Sequence, residues 1–165
     1  MFLRALTLAG GITGAAGLSQ FPEFSQQYAQ RLGGAVDELS RVVAEFDADA
    51  AGVGLTRDAA LQDLAKGGEL GAARAETMAR TIERYDRLSA DLEALQGAGP
   101  FTRAYLAARM TDRDVAQRAM ENFKPAVPAT FEGAVFAGVG FLTGLFVLGA
   151  MFAILKWPFR RRAAA

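Results

Sequence analysis

The residues best placed to do chemistry are charged ones, because the chain has neither cysteine nor histidine. Disulfides, cysteine-based zinc or iron–sulfur sites, cysteine nucleophiles and Ser–His pairs are therefore all excluded. Asp47, Asp49 and Asp58 flank a glycine-containing stretch, and carboxylates gathered there could hold calcium. Their spacing lacks the glycine and terminal glutamate of the twelve-residue calcium loop, so a polar helix terminus is the expected reading. Arg80, Arg84 and Arg87 share one helical face and could bind an anion. The spacing also offers Glu76–Arg80, Glu83–Arg87 and Arg87–Asp91 as i,i+4 pairs, and a solvated, internally braced stripe is expected. The carboxylates Asp37–Glu38 and Asp112/Asp114 stand beside no nucleophile motif, and nothing points to two-acid catalysis. No catalytic, cofactor-binding or metal-binding residue is assigned, and neither enzymatic activity nor a cofactor is expected.

The other residues singled out by spacing are glycines. Gly10 and Gly14 are four apart in one apolar segment, and Gly140 and Gly144 are four apart in another. Such spacings let helix backbones approach closely, so these four are the helix-packing candidates. The pairing could lie within one chain or between chains.

The segments carrying those glycines read as membrane helices. Gly133 to Leu155 is a run of 23 residues without a charge. At 1.5 Å per residue it reaches about 34 Å, enough for a bilayer core of about 30 Å. The following KWPFRRR supplies interfacial aromatics and a cationic cluster suited to the cytoplasmic side. Phe136, Phe141, Phe146 and Phe152 spread around this helix as lipid-facing filler would. Ala5 to Pro22 is also uncharged, but short and rich in Gly and Ala. It reads as a retained span, with a cleaved signal peptide ending near Ala15-Ala16-Gly17 as the rival.

Charge sets the expected topology. The 165 residues carry 18 basic and 18 acidic side chains, but Arg4, Lys156, Arg160, Arg161 and Arg162 lie at the ends, whereas every acidic residue lies between Phe21 and Glu132. Basic ends belong in the cytoplasm and the acidic middle outside. The expected layout is a cytoplasmic N-terminus at 1–4, a first transmembrane helix at 5–21, and a periplasmic all-helical domain at 22–129. A second transmembrane helix at 130–155 and a basic cytoplasmic tail at 156–165 complete it.

Within the middle, Phe24, Tyr28, Leu32, Val36, Leu39, Val43 and Phe46 mark one face of a long helix that fades between Asp47 and Gly54. Gly33-Gly34 inside it suggests close approach of another helix, or a kink. Thr56 is expected to cap a short helix that Gly67-Gly68 stops. A second long helix runs from about Leu70 to Gln96, with Met78, Ile82, Tyr85, Leu88, Leu92 and Leu95 as its stripe. Leu39 and Leu92, central on the two stripes, are expected in the core. Two helical pieces follow, with Thr111 as the cap between them, and then a stiff elbow at Lys124 to Pro128. The fold class is all-α: two transmembrane helices flanking a periplasmic helical bundle.

Two stretches carry a resemblance. FPEF, QQY and QRLGGAVDEL between Phe21 and Leu39, and ENFKPAVP from Glu121 to Pro128, are similar to signatures of a family of uncharacterised small proteobacterial inner-membrane proteins, known as a domain of unknown function. The resemblance spans nearly the whole chain and is loosest from Asp47 to Thr77. It implies two spans with a helical domain between them, and it implies no activity and no site residues. The expected function is that of a non-catalytic structural or accessory component of the bacterial inner membrane. Its expected partners are the lipid bilayer and either further copies of itself or a larger membrane protein complex, with no nucleic acid. The alternative is a periplasmic sensory or ligand-binding module signalling through a membrane partner.

Overall fold

The structure is a computed structural model that describes residues 2–125, 127 and 129–162. Among these residues the chain is all-helical. The helices are α1 (Phe2–Leu18), α2 (Phe21–Gly52), α3 (Arg57–Ala65), α4 (Gly68–Leu95), α5 (Pro100–Tyr105), α6 (Arg113–Glu121) and α7 (Phe131–Arg162), with a 3₁₀ turn at Ala107–Arg109 after α5. They form two compact units, one of residues 1–26 and 122–165 and the other of residues 27–121.

The first unit is built on α1 and α7, whose backbones make the most extensive approach in the chain. α7 starts where the spacing of its cap allows: Thr130 Oγ1 accepts the Gly133 N–H at 3.1 Å, and Glu132 places a negative charge at the positive end of the helix. Its stretch Phe131–Leu155 is long and apolar enough to cross a membrane, and is the one such helix among the described residues. The helix does not stop at Leu155, where the basic tail begins, but continues to Arg162. α1 is shorter, at 17 residues. It passes into α2 through only two turn residues, Ser19 and Gln20, which remain in the hydrogen-bond ladder: Ser19 N–H donates to Ala15 at 3.0 Å, Gln20 N–H to Gly17 at 3.2 Å, and Gln20 O accepts from Phe24 at 3.0 Å. Pro22 falls in the first turn of α2, where no N–H is needed. The elbow from Lys124 is non-helical at its described positions; Ala126 and Pro128 lie outside the described residues.

The second unit contains the rest of α2 together with α3 to α6. Its fully buried side chains are Tyr28 and Leu32 on α2 and Leu88 and Leu95 on α4, joined by Val43, Ile82, Val115 and Ala119. The apolar stripes therefore do meet the core, but Leu39 and Leu92 are only half-buried. A periodicity of three and four residues defines a stripe without showing which of its edges faces a neighbour.

Helix ends follow local chemistry. Thr56 Oγ1 accepts the Ala59 N–H at 3.3 Å and caps α3. Gly54, Gly68 and Gly97 have φ near +75°, where a Cβ is unfavourable, and each marks a break between helices. α2 ends at Gly52, within the stretch from Asp47 to Gly54 where its stripe fades. Arg57 grips Asp47 with both ends of its guanidinium (2.7 and 2.5 Å), tying the start of α3 to the last turns of α2. The cap of α6 is Asp112, not Thr111: its carboxylate accepts the Val115 N–H at 3.1 Å and its carbonyl accepts the Ala116 N–H at 2.9 Å. The Asp112 N–H in turn donates to the Tyr28 hydroxyl at 3.2 Å, linking α6 to α2.

Two expectations follow. Leu88→Ala should destabilise the second unit by about 2–5 kcal/mol, because it empties a fully enclosed site, and Leu92→Ala by clearly less; thermal melts of the two variants test this ranking. Burial raises the pKa of the Tyr28 phenol above its ordinary value of 10.0, outweighing the Asp112 N–H, which acts the other way. A raised folded-state value means that the stability tied to the neutral phenol is intact below the ordinary value and is lost as pH rises through the folded one. Melts across the alkaline range should therefore show a loss above pH 10.0 that Tyr28→Phe reduces, and phenolate absorbance should show one tyrosine titrating late.

Candidate functional site

The four glycines with packing spacing converge on one place. α1 and α7 run antiparallel, and Gly14 faces Gly140 while Gly10 faces Gly144. A Cβ built on Gly14 would collide with the Gly140 carbonyl oxygen, one on Gly140 with the Gly14 carbonyl oxygen, and one on Gly144 with the Gly10 carbonyl oxygen. These obstacles are backbone atoms on a neighbouring helix and cannot rotate away. Gly10 differs in that a Cβ there would meet the end of the Leu148 side chain first, and only then the Gly144 carbonyl at 3.3 Å. The seam lies within one chain.

The seam has a second layer that small-residue spacing does not reveal. Gly11 is buried, and a Cβ there would sit 2.8 Å from the Phe141 ring and 3.0 Å from Leu145. Gly11 is thus the seat of an aromatic ring. Phe136 likewise packs against Phe21, with ring centroids 5.2 Å apart. Phe141 and Phe136 are therefore packing groups, whereas Phe146 does point outward, 76% exposed. Leu8, Ile12, Leu142 and Ile154 are exposed in the same unit, so its outer faces are apolar while its inner face is glycine backbone. By contrast Gly17, Gly138 and Gly149 have open space where a Cβ would stand.

The charged constellations resolve differently from their spacing. Arg80 does pair with Glu76 along the helix. Arg84 does not belong to a solvated stripe: it reaches across to α6, 3.0 Å from both Asp112 and Asp114. Arg87 lies 3.9 Å from the same Asp112, whose side chain is only 10% exposed. Asp91 is buried and pairs with Arg109 at 3.1 Å, so it is not the i,i+4 partner of Arg87. Arg84, Arg87 and Asp91 therefore hold the short helical pieces after Gly97 against α4. Asp47 is engaged by Arg57, whose hydrogen bonds hold its carboxyl below the usual range. Among the described residues no three acidic groups converge as metal ligands would. Gly33 and Gly34 meet no neighbouring helix: α2 runs unbroken through them and a Cβ at either finds nothing within 4 Å. Each still costs about 1 kcal/mol relative to alanine in a helix.

Substitutions to alanine should separate the glycines by what a Cβ would strike. Gly14→Ala, Gly140→Ala and Gly144→Ala should force α1 and α7 apart and lower the thermal stability of the protein. Gly10→Ala should do so less, and Gly17→Ala, Gly138→Ala and Gly149→Ala should leave it unchanged or raised. Equal effects at Gly140 and Gly138 would contradict the seam.

No curated protein and no solved structure matches the chain. A family model described as a protein of unknown function (DUF2937) matches residues 2–161. With that model covering nearly its whole length, the chain belongs to the DUF2937 family.

Proposed function

We propose that this is a non-catalytic integral protein of the bacterial inner membrane. It crosses the bilayer twice, through α1 and α7, with both termini cytoplasmic and the helical region 22–129 in the periplasm. It acts as a structural or accessory component by assembling with copies of itself or with a larger membrane complex. The observation that carries the reading is the glycine seam. Apolar residues cannot drive helix association where the surroundings are equally apolar, so close backbone packing is the means available inside a bilayer. An apolar exterior wrapped around a glycine interior suits lipid. Basic residues at the two chain ends and the acidic middle support the orientation.

The seam also bears on assembly. Gly10, Gly14, Gly140 and Gly144 are occupied within one chain, so contacts with other proteins must use the outer faces of α1 and α7 or the helices between them. The absence of Cys and His removes an intrinsically strong nucleophile and the most frequent general base, which favours a non-catalytic role.

Topology is tested in intact spheroplasts, with the native chain free of cysteine. Gln96→Cys, at the exposed end of α4, should react with a membrane-impermeant thiol reagent; Ala165→Cys should react only after lysis. The reverse pattern would overturn the orientation. Extraction in mild detergent should then bring down a stoichiometric partner or an oligomer of the chain, and a monomer that carries nothing with it would overturn the assembly reading.

A further inference from the structure

One stretch of the second unit departs in charge from its surroundings. Residues 27–121 carry 16 acidic side chains, yet none falls between Glu93 and Asp112, the longest acid-free stretch between Glu23 and Glu132. The only charges in it are Arg103 and Arg109. Arg109 is paired with Asp91 at 3.1 Å. Arg103 is half-buried and has no hydrogen bond or ion pair among the described residues, and its Nε is closed off from water without an acceptor. A cation in that state lacks the oxyanion that would compensate it.

The same stretch exposes aromatic rings. Gly97, with φ at +73°, ends α4, and Gly99 and Pro100 start α5. Phe101 and Tyr105 are four apart and share one side of this short helix. Tyr105 is 87% exposed, more than any other large apolar side chain of the unit, and Phe101 is 47% exposed. Ala107 and Ala108 in the following turn are exposed too. Aromatic rings and arginine without acidic neighbours make up the composition of a bilayer interface, where rings sit at headgroup level and cations meet phosphate.

Chain geometry ties this stretch to the end of α1. The Asp112 N–H, immediately after it, is bonded to the Tyr28 hydroxyl. Tyr28 stands seven residues into α2, about 10 Å of helix from Phe21, and only Ser19 and Gln20 separate α2 from α1. The tether runs along one continuous helix and holds for any tilt of it. Val53, 73% exposed, is the contrasting case. It follows the far end of α2, about 36 Å of helix from Tyr28, and has Asp47, Asp49 and Asp58 near it in sequence.

We propose that α5 and the 3₁₀ turn after it lie on the surface of a phospholipid bilayer, with the Phe101 and Tyr105 rings at the boundary of headgroups and acyl chains and Arg103 donating to a lipid phosphate. The guanidinium fork suits phosphate oxygens, and a phenol places its ring in the apolar layer and its hydroxyl among the headgroups. The rest of the unit is acidic and is held off by an anionic surface, so the acid-free stretch is the part able to approach one. The proposal rests on the membrane-crossing part of the reading above, and on neither its orientation nor its assembly.

The test places single tryptophans in the full chain, with Trp157→Phe removing the one native tryptophan. The chain is held in nanodiscs of phosphatidylcholine and phosphatidylglycerol whose lipids carry bromine, a quencher of indole emission, either near the headgroup or deep in the acyl chain. Tyr105→Trp should be quenched by the shallow bromine, Phe146→Trp, midway along the apolar stretch of α7, by the deep one, and Val53→Trp by neither. Arg103→Gln should lower the ratio of docked to free Tyr105→Trp by about fivefold, the effect of one cation at an anionic surface. Arg103→Lys keeps the charge and should lower it less. Quenching at Phe146→Trp, with Tyr105→Trp no more quenched than Val53→Trp, would overturn this proposal alone. Absence of quenching at both Phe146→Trp and Tyr105→Trp would overturn the membrane-crossing reading and this proposal with it. Shallow quenching that Arg103→Gln leaves unchanged would also overturn it, since the phosphate contact would then be missing. Tyr105 and Val53 are exposed, so their replacement does not put folding at risk.

Discussion

Backbone against backbone at Gly14 and Gly140 is the contact on which the first unit turns. Each glycine's carbonyl occupies the space where the other's Cβ would be, so the separation of α1 and α7 is fixed by main-chain atoms and not by side chains that could adjust. Once that separation is set, Gly11 must receive the Phe141 ring and Phe21 must meet Phe136, because both pairs flank the same line of approach. The bulky residues that remain, among them Ile12, Leu142 and Phe146, have nowhere to go but outward. An apolar exterior is thus the geometric complement of a glycine interior.

The second unit solves the opposite problem. Its core is made of large side chains, Tyr28, Leu32, Leu88 and Leu95, and its short helices are placed by polar contacts that span long stretches of sequence. Asp112 is the hub: one carboxylate caps α6, receives Arg84 and lies near Arg87, while its own N–H is bonded to Tyr28. A nearly buried acid with all these partners is well satisfied, and removing any one of them would leave charge or dipole uncompensated in a poorly solvated place.

What the sequence made legible were features that depend on neighbours along the chain. The all-helical class, the extent of α4, the Thr56 cap and the long apolar stretch of α7 all follow from local spacing and composition, and all are present. Membership of a family of unknown function was legible too, and at that level the family model, matching residues 2–161, agrees. What the sequence hid were partners across helices. Arg84 and Asp112 are 28 positions apart, and no i,i+4 rule could join them. Thr111 and Asp112 are both good caps, and the choice between them rests on Arg84 and Tyr28, which only the fold brings near. A glycine, finally, carries no mark of its reason: Gly140 and Gly138 are two residues apart on one helix, and only the position of α1 distinguishes the first from the second.

The order of synthesis gives the seam a history. Gly14 leaves the ribosome 126 residues before Gly140. At about 5–20 residues per second, α1 waits roughly 6–25 s for the helix it pairs with. During that interval its glycine face is uncovered, and α2 is already growing from its end through a joint only two residues long. Most of the second unit can form while α1 is still alone, but the seam cannot. It forms only once α7 has been made, later than every helix of the second unit. A ribosome stalled before Phe131 would therefore leave behind a chain whose first helix has a docking face and no partner.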